Sequence, residues 1–407
     1  MRAQLFLFIG LMVCIIGGTC ILWSKNQNQS MYPIPTGAED SLQTTSVPAP
    51  HDVAPSLSSS ETPPTAESSA SNKTDAHTET STQHTSSMQS HTQSNTSLSP
   101  ETTDTLHTMA WLYPGEPGCN AQNEYRDGRK IDVLKPEFFT ITGGTLTRID
   151  AKGTSCNGYS LAFIADLKKY ANEIFVTVSS PETADMDTFF ETALSRNDDV
   201  GTLVQFVVAH ELTGIELDFE DFGGWNVASY TNYKKFVSLL GDALHKEGKQ
   251  LMLDAPMITN NTEQGWYQWR YEDFSDLPVD HIVLMAYDYQ FDHGVGEPIA
   301  PLAWMKKGIS WASARFPARS LSVGIPSYGY EGVVHKKPII RTYEQLRNKP
   351  GFATAERHTD SGERTWISGN TVYFYQDAES IRQKIAVVMD AGIDSVSLWH
   401  LGGNPWF

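Results

Sequence analysis

Along residues 106–407, short apolar runs alternate with segments whose apolar positions recur every three or four residues. Eight runs read as strands: residues 108–113, LTRID (146–150), EIFVTVSS (173–180), GIELDFE (214–220), QLMLDAP (250–256), HIVLMAYD (281–288), SLSVGIPSYG (320–329) and DSVSLWHLG (394–402). Between them, GYSLAFIADLKKYAN, DDVGTLVQFVVAHEL, SYTNYKKFVSLLGDALHKEG, APLAWMKKGISWASARF and QDAESIRQKIAVVMDAG carry the spacing of amphipathic helices. Strand–helix alternation predicts an α/β fold with a parallel sheet, and eight repeats favour closure into a (β/α)8 TIM barrel. An open doubly wound sheet is the alternative, but no GxGxxG or P-loop string marks a nucleotide crevice. Residues 331–375 mix PIIRTYEQL with RTWISGNTVYFYQD and are too long for a loop. We expect a small α+β insertion there, after the seventh strand and over the barrel mouth.

The pattern differs sharply upstream. Leu5–Trp23 is nearly uninterrupted apolar sequence between Arg2 and Lys25, long enough for a helix to span a bilayer. Residues 1–25 are therefore expected to be a signal anchor, with a cleaved signal peptide as the alternative. Residues 26–105 are Ser, Thr, Pro and small polar residues. They cannot bury enough apolar surface to offset the entropy of ordering, so a disordered tether is expected. As a flexible coil its span would be on the order of 50 Å. The implied arrangement is a membrane helix, a tether and an extracytoplasmic domain over 106–407, or a secreted domain if the apolar segment is cleaved.

The formal net charge of −18 argues against nucleic acid and gives no attraction to anionic lipid, while suiting a neutral polymer. Of the four cysteines, Cys119 and Cys156 are the pair in the folded region. Outside the cytosol they are candidates for one disulfide, with two reduced thiols as the alternative. The twelve histidines are scattered and no Cys/His spacing suggests zinc, so neither metal nor cofactor is expected. A monomer is expected.

Within TGIELDFEDFGGW (213–225), Glu216, Asp218 and Glu220 alternate with Ile215, Leu217 and Phe219. At strand period this places three carboxylates on one face and three apolar groups on the other. Like charges brought together in a low-dielectric site push at least one pKa upward. In a barrel, chemistry gathers at strand C-termini. The ends here are DFED, DAPM, AYDYQ, PSYGY and LWHLG, rich in carboxylates, tyrosine and tryptophan and nearly free of lysine or arginine. That is the lining expected of a site for a neutral sugar chain. Core packing is the competing reading for any single aromatic; of Trp266, Trp269 and Trp366, two are expected to be core.

These residues resemble glycoside hydrolase family 18, the chitinase and endo-β-N-acetylglucosaminidase family, over residues 106–407. Its DGxDxDxE hallmark is matched by TGIELDFE, and its MxYD hallmark by Met285, Ala286, Tyr287 and Asp288. GIPSYGY (324–330), which includes Tyr328, and SLWHLG (397–402) are similar to its seventh- and eighth-strand segments. With GEPIAPLAWM after the sixth strand, the wording looks nearest to bacterial cell-wall and spore-cortex hydrolases.

The resemblance implies hydrolysis of a glycan containing β-linked N-acetylglucosamine, peptidoglycan or chitin-like, with the substrate's own acetamide as nucleophile and retention of configuration. Glu220 would be the proton donor, Asp218 would orient the acetamide, and Tyr287 would hydrogen-bond it. Asp288 would support the distorted sugar and Trp399 would floor the site, with Glu216, Met285 and Tyr328 as further substrate-binding candidates. Thr213 and Glu216 depart from hallmark aspartates, and Ser179-Ser180-Pro181 replaces the third-strand SxGG common among chitinases. A non-catalytic, lectin-like barrel is the alternative; family lectins typically lose the acid that Glu220 retains.

Overall fold

The computed structural model describes residues 106–127, 131–196 and 198–404. The expected anchor and tether lie outside the described residues, among which no helix is long and apolar enough to cross a membrane. The strands are β1 (His107–Leu112), β2 (Val133–Thr142), β3 (Thr145–Arg148), β4 (Glu173–Ser180), β5 (Gly214–Phe219), β6 (Gln250–Pro256), β7 (His281–Met285) and β8 (Leu321–Pro326). They continue with β9 (Gly329–Val333), β10 (Ile339–Arg341), β11 (Glu356–Arg357), β12 (Arg364–Ser368), β13 (Thr371–Tyr375) and β14 (Ser395–Trp399). Strands β1, β2, β4, β5, β6, β7, β8 and β14 pair in parallel in that order, and β14 pairs back onto β1, so the barrel closes.

One expected strand is corrected. The second barrel strand is VLKPEFFTIT, not LTRID. LTRID supplies β3, which returns antiparallel on β2. Gly143 and Gly144, at φ 58° and 71°, make the two-residue turn between them, as a turn with positive φ at both positions requires. Strand β2 hides from periodicity because Lys135, Pro136 and Glu137 interrupt its apolar run. Proline is tolerated in sheets near bulges, and the β2–β4 register does shift between Glu137 and Phe139.

Two apolar layers hold the barrel. Outside it, Ile215, Leu217 and Phe219 of β5 pack with Phe189, Phe190, Tyr233 and Phe236 of the surrounding helices. Each such fully buried side chain contributes about 1.5–3 kcal/mol. Inside it, Met109, Trp111, Val133, Phe175, Met252 and Val283 fill the lower lumen. Gly214 opens β5 because a Cβ there would lie 2.1 Å from the Gln250 carbonyl oxygen and 2.8 Å from the Phe175 ring. The helix over β5, Val227–Lys246, starts where the Asn226 side chain accepts from the backbone N–H groups of Ala228 (2.7 Å) and Ser229 (3.1 Å). It buries Tyr230, Tyr233, Phe236, Val237, Leu240 and Leu244, a three- and four-residue stripe.

Strands β9–β13 form a separate antiparallel sheet in the order β10-β9-β13-β12-β11, with the short helix Tyr343–Leu346. Tyr330 and Phe374 pack with Tyr328 and Ile299 in one cluster. Trp366, Tyr373 and Tyr375 pack with Leu346 and Phe352 in another. Trp269 and Trp366 are thus core residues, whereas Trp266 is 45% exposed.

Cys119 and Cys156 are bonded to each other. They join the loop after β1 to the loop after β3, where the Asn157 side-chain amide also donates to the carbonyls of Tyr113 (2.9 Å) and Gly118 (2.6 Å). Closing a loop of 37 residues stabilises by about 4 kcal/mol. Cys119→Ser is therefore expected to lower Tm by roughly 5–10 °C, read by thermal unfolding; an unchanged Tm would show that the amide alone holds the two loops.

Candidate active site

The site begins with the face of β5 that the alternation predicts. Its register places Glu216 beside Thr177 and Asp218 beside Ser179 of β4. Glu216 is fully buried. It accepts from the Lys135 ammonium (2.5 Å), the Trp111 indole N–H (2.9 Å) and the Thr177 hydroxyl (2.6 Å). Lys135, equally buried, lies 3.2 Å from the centroid of the Trp111 ring. Asp254 of β6 is buried nearby, and neither of its carboxyl oxygens meets a donor. Burial, then Glu216, holds Asp254 well above the usual carboxylate range.

One level higher, Asp218 and Glu220 face a cleft. The end of β5 aims Glu220. Its backbone N–H donates to the Ser180 carbonyl (2.9 Å) and its carbonyl accepts from the Trp225 indole (2.8 Å). The chain then turns at Asp221, whose φ of 57° is left-handed. The Asp221 carboxylate accepts from the Thr183 hydroxyl (2.6 Å) and backbone N–H (3.2 Å), which holds the turn. Burial, then the charges of Asp218, Asp288 and Glu137, push Glu220 well above the ordinary range. Asp218 is pushed to about 8 by burial and then by Glu137 and Glu216, with Lys135 opposing. These causes all favour the protonated form of Glu220, the form a general acid needs.

The opposite wall comes from the ends of β7 and β14. Tyr287 stacks on Trp399 (centroids 6.1 Å, planes 28° apart) and meets Trp111 edge-on at 6.4 Å. Gly324 makes room for both, since a Cβ would lie 3.0 Å from the Tyr287 ring and 3.2 Å from Trp111. Asp288 has φ 66° and accepts from the Tyr328 hydroxyl. Ile340 of β10, with Thr342 and Gln345 of the short helix that follows it, and Tyr113, Pro114 and Pro117 of the disulfide-linked rim, complete the cleft.

Asp218, Glu220, Tyr287, Asp288 and Trp399 thus line one cleft, and Met285 lines a small recess beside Asp288. Glu216 and Tyr328 are fully buried; the Tyr328 hydroxyl donates to Asp288 at the cleft, while Glu216 lies below Asp218 on the same strand. Sequence reasoning missed Lys135 and Glu137. The available signal was a lysine and a glutamate two residues apart inside an apolar run.

Glu137 lines the cleft and accepts from the Ser179 hydroxyl at 2.6 Å. Burial, helped by Glu216, raises it from 4.5 to about 7. The folded protein therefore retains a proton that the unfolded chain releases. The associated stability is complete below pH about 4.5 and is lost as pH rises through about 7, on the order of 3 kcal/mol. Tm is expected to fall between pH 5 and 8, and Glu137→Gln to flatten that fall, as thermal unfolding across pH would show. An equally steep fall in the variant would place the proton elsewhere.

Comparison with known proteins agrees with this geometry. A family model described as glycosyl hydrolases family 18 matches residues 111–404. A glycosylase of Bacillus subtilis, YvbX, described as uncharacterized, is 26% identical over 221 residues, covering 50% of this chain and 61% of that protein. The cortical fragment-lytic enzyme of the same organism is 26% identical over 193 residues, 42% of each. The chain spans about half the length of these curated relatives. A chitinase from Chromobacterium violaceum shares the fold with a TM-score of 0.61 at 22% identity, covering 74% of this chain and 95% of that one. The spore cortex-lytic enzyme SleL of Bacillus cereus does so with a TM-score of 0.60 at 16% identity, covering 74% and 72%. With a closed barrel, both hallmark segments at its mouth and a family match over most of its length, this chain belongs to glycosyl hydrolases family 18.

Proposed function

We propose that this protein hydrolyses glycans containing β-linked N-acetylglucosamine, with retention and with the substrate's acetamide as nucleophile. The observation that carries the reading is that Asp218, on β5, and Glu220, directly after it, stand two residues apart on the same side of the cleft. Such a pair cannot flank a sugar from opposite sides as acid and nucleophile, which the two-carboxylate schemes need. It can serve a nucleophile that belongs to the substrate. Glu220 protonates the leaving glycosidic oxygen and then takes a proton from the incoming water. Asp218 binds the acetamide N–H and balances the positive charge of the oxazolinium. Tyr287 donates a hydrogen bond to the acetamide oxygen, and burial holds that phenol in its protonated form. Trp399 presents an apolar face to the sugar ring.

The relatives include a cortical fragment-lytic enzyme and chitinases, and the substrate class proposed here is what those names share. We propose further that residues 1–25 anchor the chain, that 26–105 tether it, and that the barrel over 106–407 is displayed outside the cytoplasm. The length of the apolar run and the composition of the tether support this. The test incubates the protein with purified peptidoglycan and with chitin oligomers, reading product masses and new reducing ends. New N-acetylglucosamine ends from peptidoglycan alone make it a cell-wall hydrolase, and ends from chitin alone a chitinase. Binding without new ends from either would replace the hydrolase by a glycan-binding barrel.

A further inference from the structure

Glu137, Glu216, Asp218, Glu220, Asp254 and Asp288 converge on the upper half of the barrel, and Lys135 is the cation set beneath them. Its ammonium is fully buried against Glu216 and the Trp111 ring. Glu216 already accepts three hydrogen bonds, one oxygen from Lys135 and the other from Trp111 and Thr177. The pair also accounts for a departure from the family hallmark. Strand β4 lies between β2 and β5, so the ion pair must reach across a strand. Glutamate spans that gap one methylene further than the aspartate that the hallmark carries at this position.

We propose that Lys135 is a positioning residue of the hydrolytic site. Clamped to Glu216, it neutralises that carboxylate and so eases the ionisation of Asp218 beneath the acetamide while Glu220 keeps the proton it donates. This rests on the hydrolase reading. The groups facing Lys135 are Glu216 and Asp218 from β5 and Asp254 from β6, and Glu137 of β2 adds to the charge felt by Asp218; Trp111 and Thr177 are the uncharged neighbours of the pair. Without the ammonium, Glu216 becomes a buried carboxylate with no counter-charge, the costly way to break a buried pair. Its field then favours the proton on Asp218 as well as on Glu220. A site with both acids protonated has a donor and nothing to stabilise the oxazolinium.

The test compares the full chain as wild type, Lys135→Met and Lys135→Met/Glu216→Gln. Two readouts are followed against pH: kcat on N-acetylglucosamine oligomers, and Tm without substrate. Lys135→Met is expected to move the acidic limb of the kcat profile upward by about one pH unit. At the foot of that limb kcat falls about tenfold, while KM stays within about threefold because the ammonium does not reach the cleft. Adding Glu216→Gln removes the stranded charge; it should return the limb toward its wild-type position and recover Tm. A loss of equal size at every pH with the limb unmoved would overturn the proposal, as would a double variant that keeps the displaced limb. If wild type hydrolyses none of the oligomers, the hydrolase reading fails by itself. The Tm arm then still decides the clamp, which is overturned if Lys135→Met leaves the pH dependence of Tm unchanged.

Discussion

Glu220→Gln is expected to lower kcat on N-acetylglucosamine oligomers by about 10³-fold, the usual scale for losing a positioned general acid. The substitution keeps volume and hydrogen-bonding capacity, so glycan affinity should change little. Titration of the tryptophan fluorescence of Trp399 and Trp111 would read it. Two features make the prediction specific to this residue. Its backbone is held on both sides, by Ser180 and Trp225, so the amide occupies the same place in the cleft. Burial and the neighbouring Asp218 favour its protonated form, and Gln has no acidic proton to give. Thermal stability at pH 8 should hold or rise, because a costly buried carboxyl has been removed. Turnover within about tenfold of wild type would transfer the donor role to Asp288 or Glu137, the other acids lining the cleft.

Asp218→Asn is expected to lower turnover by about 10²-fold, as removing one preorganised stabilising group does, and also to move the pH profile. The sign follows from the neighbours. Asp218 is second only to burial among the causes that raise Glu220. Replacing it with a neutral amide lowers the pKa of Glu220. The donor must be protonated, so the alkaline limb of kcat should move to lower pH, by about one unit. A kcat profile between pH 4 and 9 for both proteins measures both effects. A reduced rate with an unmoved alkaline limb would mean that Asp218 supports the acetamide without touching the donor's proton. A normal rate would exclude the acetamide from the reaction.

Much of the cleft was legible before any fold was known. The alternation of Glu216, Asp218 and Glu220 with Ile215, Leu217 and Phe219 places the acids on the lumen face and the apolar groups under the helices, as strand period demands. Tyr287, Asp288 and Trp399 were legible because chemistry in a barrel sits at strand ends. What the pattern did not show was depth. Glu216 and Tyr328 belong to the segments that carry the cleft, yet both side chains are fully buried. The polar lumen also concealed β2. A strand is recognised by buried apolar residues, and β2 spends two of its inward positions on Lys135 and Glu137.

Sequence by itself determined the closed barrel, the acid-bearing fifth strand and the aromatic wall opposite it, because periodicity and strand-end placement are properties of local order along the chain. Tertiary structure decided which acids are charged. Lys135 and Glu216 are 81 positions apart and meet only because β2 and β5 flank β4 in a closed sheet. The protonation of each carboxyl depends on distance to the others and on exclusion of water. Neither quantity exists until the strands have closed around the lumen.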